Sequence, residues 1–291
     1  MKMTTVRSAR SPGETRPAAS LVHGSPMIET RDLKFSYPDG TPVLDGITQE
    51  ITAGSTVGVV GPSGCGKSTL LAALAGLIQP TSGSIDRHTA DAGRHPLSML
   101  FQKETVLPWL TVEENVVLFT KFKSHGRRPN VLRRWVPGLG SKFDSQTQDL
   151  IDELLELVHL QEFANRYPYQ LSGGQRRRLA LLSAVAPKPQ ILLLDEPFSA
   201  LDEPTRIGIH QDVYRTTKMF GITTILVTHD LAEALSLADR VLILSKRPAV
   251  MAYEHVVPFG DNRSMLDLRH TAPFLELYGQ LWQDLSTQME A

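Results

Sequence analysis

Gly61, Pro62, Ser63, Gly64, Cys65, Gly66, Lys67, Ser68 and Thr69 fill the pattern G-x-x-x-x-G-K-[ST], a spacing suited to holding phosphate. Glycines let a turn aim its backbone N–H groups inward, and a helix starting just after it adds partial positive charge. Lys67 then reaches terminal phosphates, and the Ser68 hydroxyl can ligate Mg²⁺. Such a cradle predicts an anionic nucleotide. The plain alternative, a Gly-rich turn with a solvated lysine, does not explain why every position is filled between a strand-like and a helix-like run. Cys65 reads as a small filler. Downstream, Asp195 and Glu196 stand side by side. Asp195 can hold Mg²⁺ directly or through water, while Glu196 can orient or deprotonate the water that attacks a γ-phosphate. Taken alone, this pair reads equally well as a charged turn into Pro197.

Residues so far apart in sequence act together only if the fold delivers them to one edge. Three apolar runs do so: Thr56 to Val60 enters the Gly-rich turn, Ile191 to Leu194 ends at the two carboxylates, and Ile222 to Val227 ends at Thr228, His229 and Asp230. Short β-branched or apolar runs alternate with helical ones from Met27 to about Ser245, the pattern of a largely parallel α/β sheet. In such sheets ligands bind outside the carboxyl ends of the strands. Helical character dominates from about 106 to 187, where Leu150, Ile151, Leu154, Leu155 and Val158 repeat at three- and four-residue spacing. Inside it, residues 121–144 hold seven Lys or Arg against one Asp, with Pro129, Pro137, Gly138 and Gly140 breaking any long helix, and are expected as a basic loop insertion. Residues 1–26 carry Lys2, Arg7, Arg10 and Arg16 against Glu14 and are expected as a flexible tail. The domain then runs over 27–250, with 251–291 as a C-terminal extension.

Composition narrows the function classes. Of 291 residues 41% are apolar and 21% charged, and the formal net charge is −1, so no bulk charge argues for coating nucleic acid. The longest apolar run, Leu70 to Ile78, is too short to cross a bilayer as a helix, which needs about 20 residues. One cysteine excludes an internal disulfide or multi-thiolate site and fits a reducing cytoplasm.

Leu171-Ser172-Gly173-Gly174-Gln175 supplies a second phosphate-binding helix start, and it resembles the signature sequence of ATP-binding-cassette (ABC) ATPases. Other positions follow in that family's order. Tyr37 resembles the aromatic that stacks on adenine, Gln102 the Q-loop glutamine, Ser199-Ala200-Leu201-Asp202 the D-loop, and His229 the switch histidine. The resemblance implies a P-loop α/β core with a small antiparallel β portion and an inserted helical subdomain carrying the signature. It implies ATP and Mg²⁺ as cofactors, with Mg²⁺ held by Ser68, Gln102 and Asp195. Glu196, His229, Lys67 and Gln102 become the catalytic set, and Ser172, Gly173, Gly174 and Gln175 serve the nucleotide of the opposite subunit. It also implies a homodimer or a homologous partner ATPase, separate integral-membrane permease subunits, and a peripheral place on the cytoplasmic membrane face.

The stretch Leu107-Pro-Trp-Leu-Thr-Val-Glu-Glu-Asn-Val116, with Leu244 to Pro248 and Phe274 to Trp282, is similar to importer ATPases for nitrate, sulfonates and taurine. A soluble binding protein selects the solute in those systems. Trp109 reads either as an anchor for a permease helix or as a partly buried core aromatic. Ser183 departs from the family, which commonly has a basic residue there, and the basic stretch is longer than usual. A soluble ABC ATPase of cofactor assembly and a catalytically silent regulatory subunit remain as alternatives.

Overall fold

The computed structural model describes residues 24–89, 96–102, 106–121, 145–199, 201–261 and 263–290. The expected N-terminal tail up to residue 23 and the basic insertion from residue 122 to 144 lie outside them. Along the chain run β1 (Pro26–Ser36), β2 (Pro42–Thr52), β3 (Thr56–Val60), α1 (Lys67–Ala75), β4 (Ser82–Arg87) and β5 (Leu97–Leu100). There follow α2 (Val112–Lys121), α3 (Ser145–Leu157), α4 (Gly173–Val185), β6 (Ile191–Asp195), α5 (Glu203–Met219), β7 (Thr223–Val227) and α6 (Leu231–Leu237). The chain ends in β8 (Arg240–Leu244), β9 (Met251–Val256), α7 (Met265–Leu268) and α8 (Ala272–Glu290).

The large sheet has the order β5-β6-β7-β3-β8-β9, with its first five strands parallel and β9 antiparallel to β8. All five residues of β3 and of β7, and the first four of β6, are buried. Helices cover both faces of a parallel sheet, so its inner strands read as unbroken apolar runs. That burial fixes the three strand ends at one edge. Gly58 in β3 makes a close approach possible, because a Cβ there would stand 3.2 Å from Ala234 Cβ and 3.3 Å from Ala238 Cβ, pressing α6 onto the sheet.

A second, antiparallel sheet has the order β2-β1-β4. Met27, Ile28, Leu33, Val43, Leu44 and Ile47 from its strands share one core with α1 residues Leu70, Leu71 and Leu74 and with β3. The helical portion has its own core, in which Val112, Val116 and Val117 of α2 meet Ile151, Leu154 and Leu155 of α3 and Leu179 and Leu182 of α4. Within the stretch expected as a C-terminal extension, β9 is the sixth strand of the large sheet. There too, Phe274, Leu281 and Leu285 of α8 pack with Leu231, Ala234, Leu235 and Ala238.

Candidate functional site

The cradle lies where β3 ends and α1 begins. Gly66, at φ +123°, precedes α1, and a Cβ there would come within 2.9 Å of Val43 Cγ1, so only glycine fits both the turn and the sheet beside it. At Gly61 a Cβ would meet Cys65 Sγ and the Leu244 carbonyl, each at 3.0 Å. Cys65 is buried, and burial pushes its thiol up, with Lys67 opposing, which fits a packing residue. No side chain caps the start of α1. Lys67 is buried and folds back, its Nζ donating to the carbonyls of Gly61 at 2.9 Å and Pro62 at 3.0 Å. The ammonium thus rests on the loop it would share with a phosphate.

Ser68, in the first turn of α1, donates from Oγ to Asp195 Oδ1 at 3.0 Å. Burial raises the Asp195 carboxyl above its ordinary range, with the Ser68 hydroxyl pulling the other way and Glu196 adding to the rise. A partly desolvated carboxylate beside a hydroxyl is a hard-oxygen pair that suits Mg²⁺, which keeps several waters and takes few protein ligands. The residues present therefore fit the ion.

Glu196 sits just past β6 at φ +43°, in the left-handed region a glutamate rarely adopts, at a cost of order 1 kcal/mol. Its N–H donates to Val227 O at 2.9 Å and its carbonyl accepts from Ser199 Oγ at 3.3 Å, which holds the turn. Two groups converge on Glu196 Oε2: His229 Nδ1 at 3.4 Å, from the end of β7, and Gln102 Nε2 at 3.4 Å, from the segment after β5. A cleft of about 540 Å³ brings Glu196 and His229 together with the cradle, lined by Tyr37, Ser63, Gly64, Gly66, Lys67, Ser68, Thr69, Glu196, His229 and Arg247. Tyr37, half-exposed in the lining of this cleft, meets Phe35 edge to face at 5.5 Å.

Ser172 to Gln175 do not line this cleft. They start α4 with a reciprocal cap, in which Gln175 N–H donates to Ser172 Oγ at 3.3 Å and Ser172 N–H donates to Gln175 Oε1 at 2.8 Å. Behind them, a Cβ on Gly174 would stand 2.6 Å from Thr205 Cγ2, so α4 and α5 touch closely. Asp202 caps α5 through Thr205, whose hydroxyl donates at 3.0 Å and holds the carboxyl below its usual range. Ser183 is buried and donates to Leu179 O at 2.8 Å, so the helix satisfies it without a charge.

Sequence reasoning misses Arg177 and Arg247. Buried Arg177 in α4 donates to the carbonyls of Phe101 at 3.2 Å, Gln102 at 3.3 Å and Pro197, tying the glutamine segment to the turn after Glu196. An arginine inside the signature helix carries no mark of this in sequence. After Gln102, buried Asn115 braces the turn by donating to the Leu107, Leu110 and Thr111 carbonyls and accepting from Leu107 N–H. Trp109 on that turn is 61% exposed, which sets aside the core-aromatic alternative.

Behind His229, Asp230 caps α6 and pairs with Arg206 of α5 at 3.1 Å. Deeper still, His210 of α5 and Glu233 of α6 approach to 3.9 Å, both buried. Burial holds the imidazole down at about 3 and pushes the Glu233 carboxyl up to about 8. Arg269, beside α7, reaches His210 Nδ1 at 3.3 Å and also pairs with Glu203.

Known proteins are similar to this chain in sequence and fold. The sequence pattern of the ABC transporter family matches residues 44–199. The nitrate import ATP-binding protein NrtC of Synechococcus elongatus is 35% identical over 263 residues, covering 88% of this chain, which itself spans only 38% of NrtC. The aliphatic sulfonates import ATP-binding protein SsuB 1 of Mesorhizobium japonicum is 40% identical over 244 residues, covering 84% of each chain. A dimeric ATP-binding cassette in a post-hydrolysis state, bound to ADP and Pi, superposes with a TM-score of 0.64 at 29% identity, covering 80% of this chain and all of the other. With cradle, carboxylate pair and capped signature helix set on this doubly sheeted scaffold, the chain belongs to the ABC transporter family and has the ABC ATPase cassette fold.

Proposed function

We propose that the chain hydrolyses ATP as the energy-coupling subunit of an ABC importer. The observation that carries this reading is the meeting of Gln102 and His229 on one carboxylate oxygen of Glu196, with Glu196 and His229 lining the same cleft as the cradle. Tyr37 takes the adenine, the Gly61–Thr69 loop and Lys67 take the phosphates, and Ser68, Asp195 and Gln102 would hold Mg²⁺, which when bound would supply positive charge to polarise the γ-phosphate. Glu196 orients the attacking water and accepts its proton, and His229 steadies both that carboxylate and the γ-phosphate.

One copy carries half of each closed site. Its own signature start, Ser172 to Gln175, lies away from its own cradle, which supports two cassettes facing head to tail, each covering the other's nucleotide. Binding of ATP then favours the closed pair and hydrolysis releases it. Among the described residues no helix is long and apolar enough to cross a membrane, and in this reading the permease subunits are separate chains. The exposed Trp109, on the braced turn next to Gln102, is the residue that would meet them. The solute in this reading is a small anion of the nitrate, sulfonate or taurine kind, supported by the nitrate and sulfonate importers among the relatives and by the similar stretches around Trp109 and Arg247, and a binding protein would select it.

The test is phosphate release by the purified chain with Mg-ATP, with detergent-solubilised membranes as the second arm. Turnover that rises more steeply than chain concentration, together with co-purifying membrane subunits, is expected. Binding without turnover would leave a silent regulatory subunit, and turnover without membrane partners would leave a cofactor-assembly ATPase.

A further inference from the structure

Arg247 stands on the turn between β8 and β9, and that turn is pinned. Ala249 is fully buried, its N–H donates to Val43 O at 2.8 Å, and its carbonyl accepts from Asp45 N–H at 2.9 Å. Val250 N–H donates to Ser245 Oγ at 3.0 Å, closing the turn from the other side. The exposed guanidinium is thereby presented at a fixed place in the wall of the cleft that also holds Gly64 and Lys67. Its carbon lies 5.8 Å from the centre of the Tyr37 ring.

Among the described residues, no carboxylate pairs with Arg247. Other arginines around the cassette have carboxylate partners: Arg240 with Glu254, Arg206 with Asp230, Arg263 with Asp239 and Arg269 with Glu203. Cation–π contact at an exposed ring is weak, about 0.5–1 kcal/mol, so an incoming base could take over the ring at little cost. A permanently charged, planar donor freed from that ring, in a cleft whose other cation is Lys67, is matched to phosphate oxygens. The Arg247 charge already reaches the cradle, where it opposes the rise of the Cys65 thiol.

We propose that Arg247 is a nucleotide-contacting residue whose guanidinium leaves the Tyr37 ring and grips the α-phosphate, the phosphate nearest the base. The proposal rests on the reading of the cleft as an ATP site with Tyr37 at its adenine end. It extends that site to the β8–β9 turn, giving the cradle a second cation at the end remote from the γ-phosphate.

The experiment compares the intact chain with Arg247→Ala, Arg247→Met and Arg247→Lys, using adenosine, AMP, ADP and ATP as competitors of a fluorescent ATP analogue. Arg247→Met keeps length and apolar bulk without charge, and melting temperatures of all variants check folding. Expected are an unchanged adenosine constant and a loss of about tenfold, the same for AMP, ADP and ATP, in the Ala and Met variants, with most of the affinity kept by Lys. An equal loss for adenosine would make the contact one to the base. A loss that begins only at ADP would remove the α-phosphate assignment, and no loss with any ligand would remove the proposal altogether. If the unmodified chain itself bound no ATP, the reading of the cleft would fail instead, so the two failures are separable.

Discussion

Two helices in this cassette begin with glycine-rich sequence, and they begin in opposite ways. At α1 the preceding residue is Gly66, no side chain caps the first turn, and Lys67 folds onto the loop's own carbonyls. At α4 the Ser172 and Gln175 side chains answer each other's backbone N–H groups. A free helix start has donors to offer an anion, whereas a capped one is stable without any. The contrast supports the proposed division of labour, in which the first start would capture nucleotide by itself and the second would act when a partner cassette brings nucleotide to it.

The largest effect expected is at neither helix. Glu196→Gln should lower hydrolysis by about 10³-fold or more with ATP affinity kept, read by single-turnover phosphate release and nucleotide binding, and unchanged turnover would take the base role from Glu196. Lys67→Ala addresses the open start. Nucleotide affinity should fall about a hundredfold, because a desolvated phosphate-facing cation is lost, and an unaltered dissociation constant would show the fold-back onto Gly61 and Pro62 to be its whole role. Ser172→Ala addresses the capped start and should split the two readouts. Hydrolysis should drop about tenfold while the affinity of the isolated chain for nucleotide stays put, apart from a stability cost of about 1 kcal/mol from the lost cap. An equal loss of affinity would put the α4 start in its own chain's cleft and dissolve the contrast.

The smallest effect concerns the wall between the two starts, where α5 touches Gly174 and α6 touches Gly58. Glu233 ionises at about 8 in the folded chain against an ordinary 4.5, so the native state holds an extra proton and stability falls as pH rises through that window. His210 works the other way: held at about 3 against 6.5, it stays neutral in the folded chain, so stability falls as pH drops from 6.5. The two slopes offset each other between 4.5 and 6.5, and above 6.5 Glu233 acts alone. Glu233→Gln should therefore flatten the decline in melting temperature between pH 6.5 and 8, and an identical decline in the variant would count against the buried acid.

The cradle, the carboxylate pair and the three strands that deliver them were legible because a buried parallel strand announces itself as an apolar run with its chemistry at its end. The α4 start was legible because Ser172 and Gln175 satisfy each other locally. What escaped were contacts closed across the fold. Arg177 reaches Phe101 and Gln102 from α4, and Arg247 reaches Tyr37 from the β8–β9 turn; neither contact is marked in the residues beside it in sequence, although Arg247 falls within the importer-like stretch. The place of β9 and α8 in the core was hidden too, since β9 is only partly buried and α8 buries few residues, Phe274, Leu281 and Leu285 among them, behind a mostly exposed face.

The bare backbone of Gly58 lets α6 lie directly on β3 with no side chain between to act as a cushion. Strand and helix are then locked like meshed gears, one bearing the phosphate loop and the other the segment just after His229. Since α8 packs against α6 in turn, a displacement of α6 would be felt by the C-terminal helix as well.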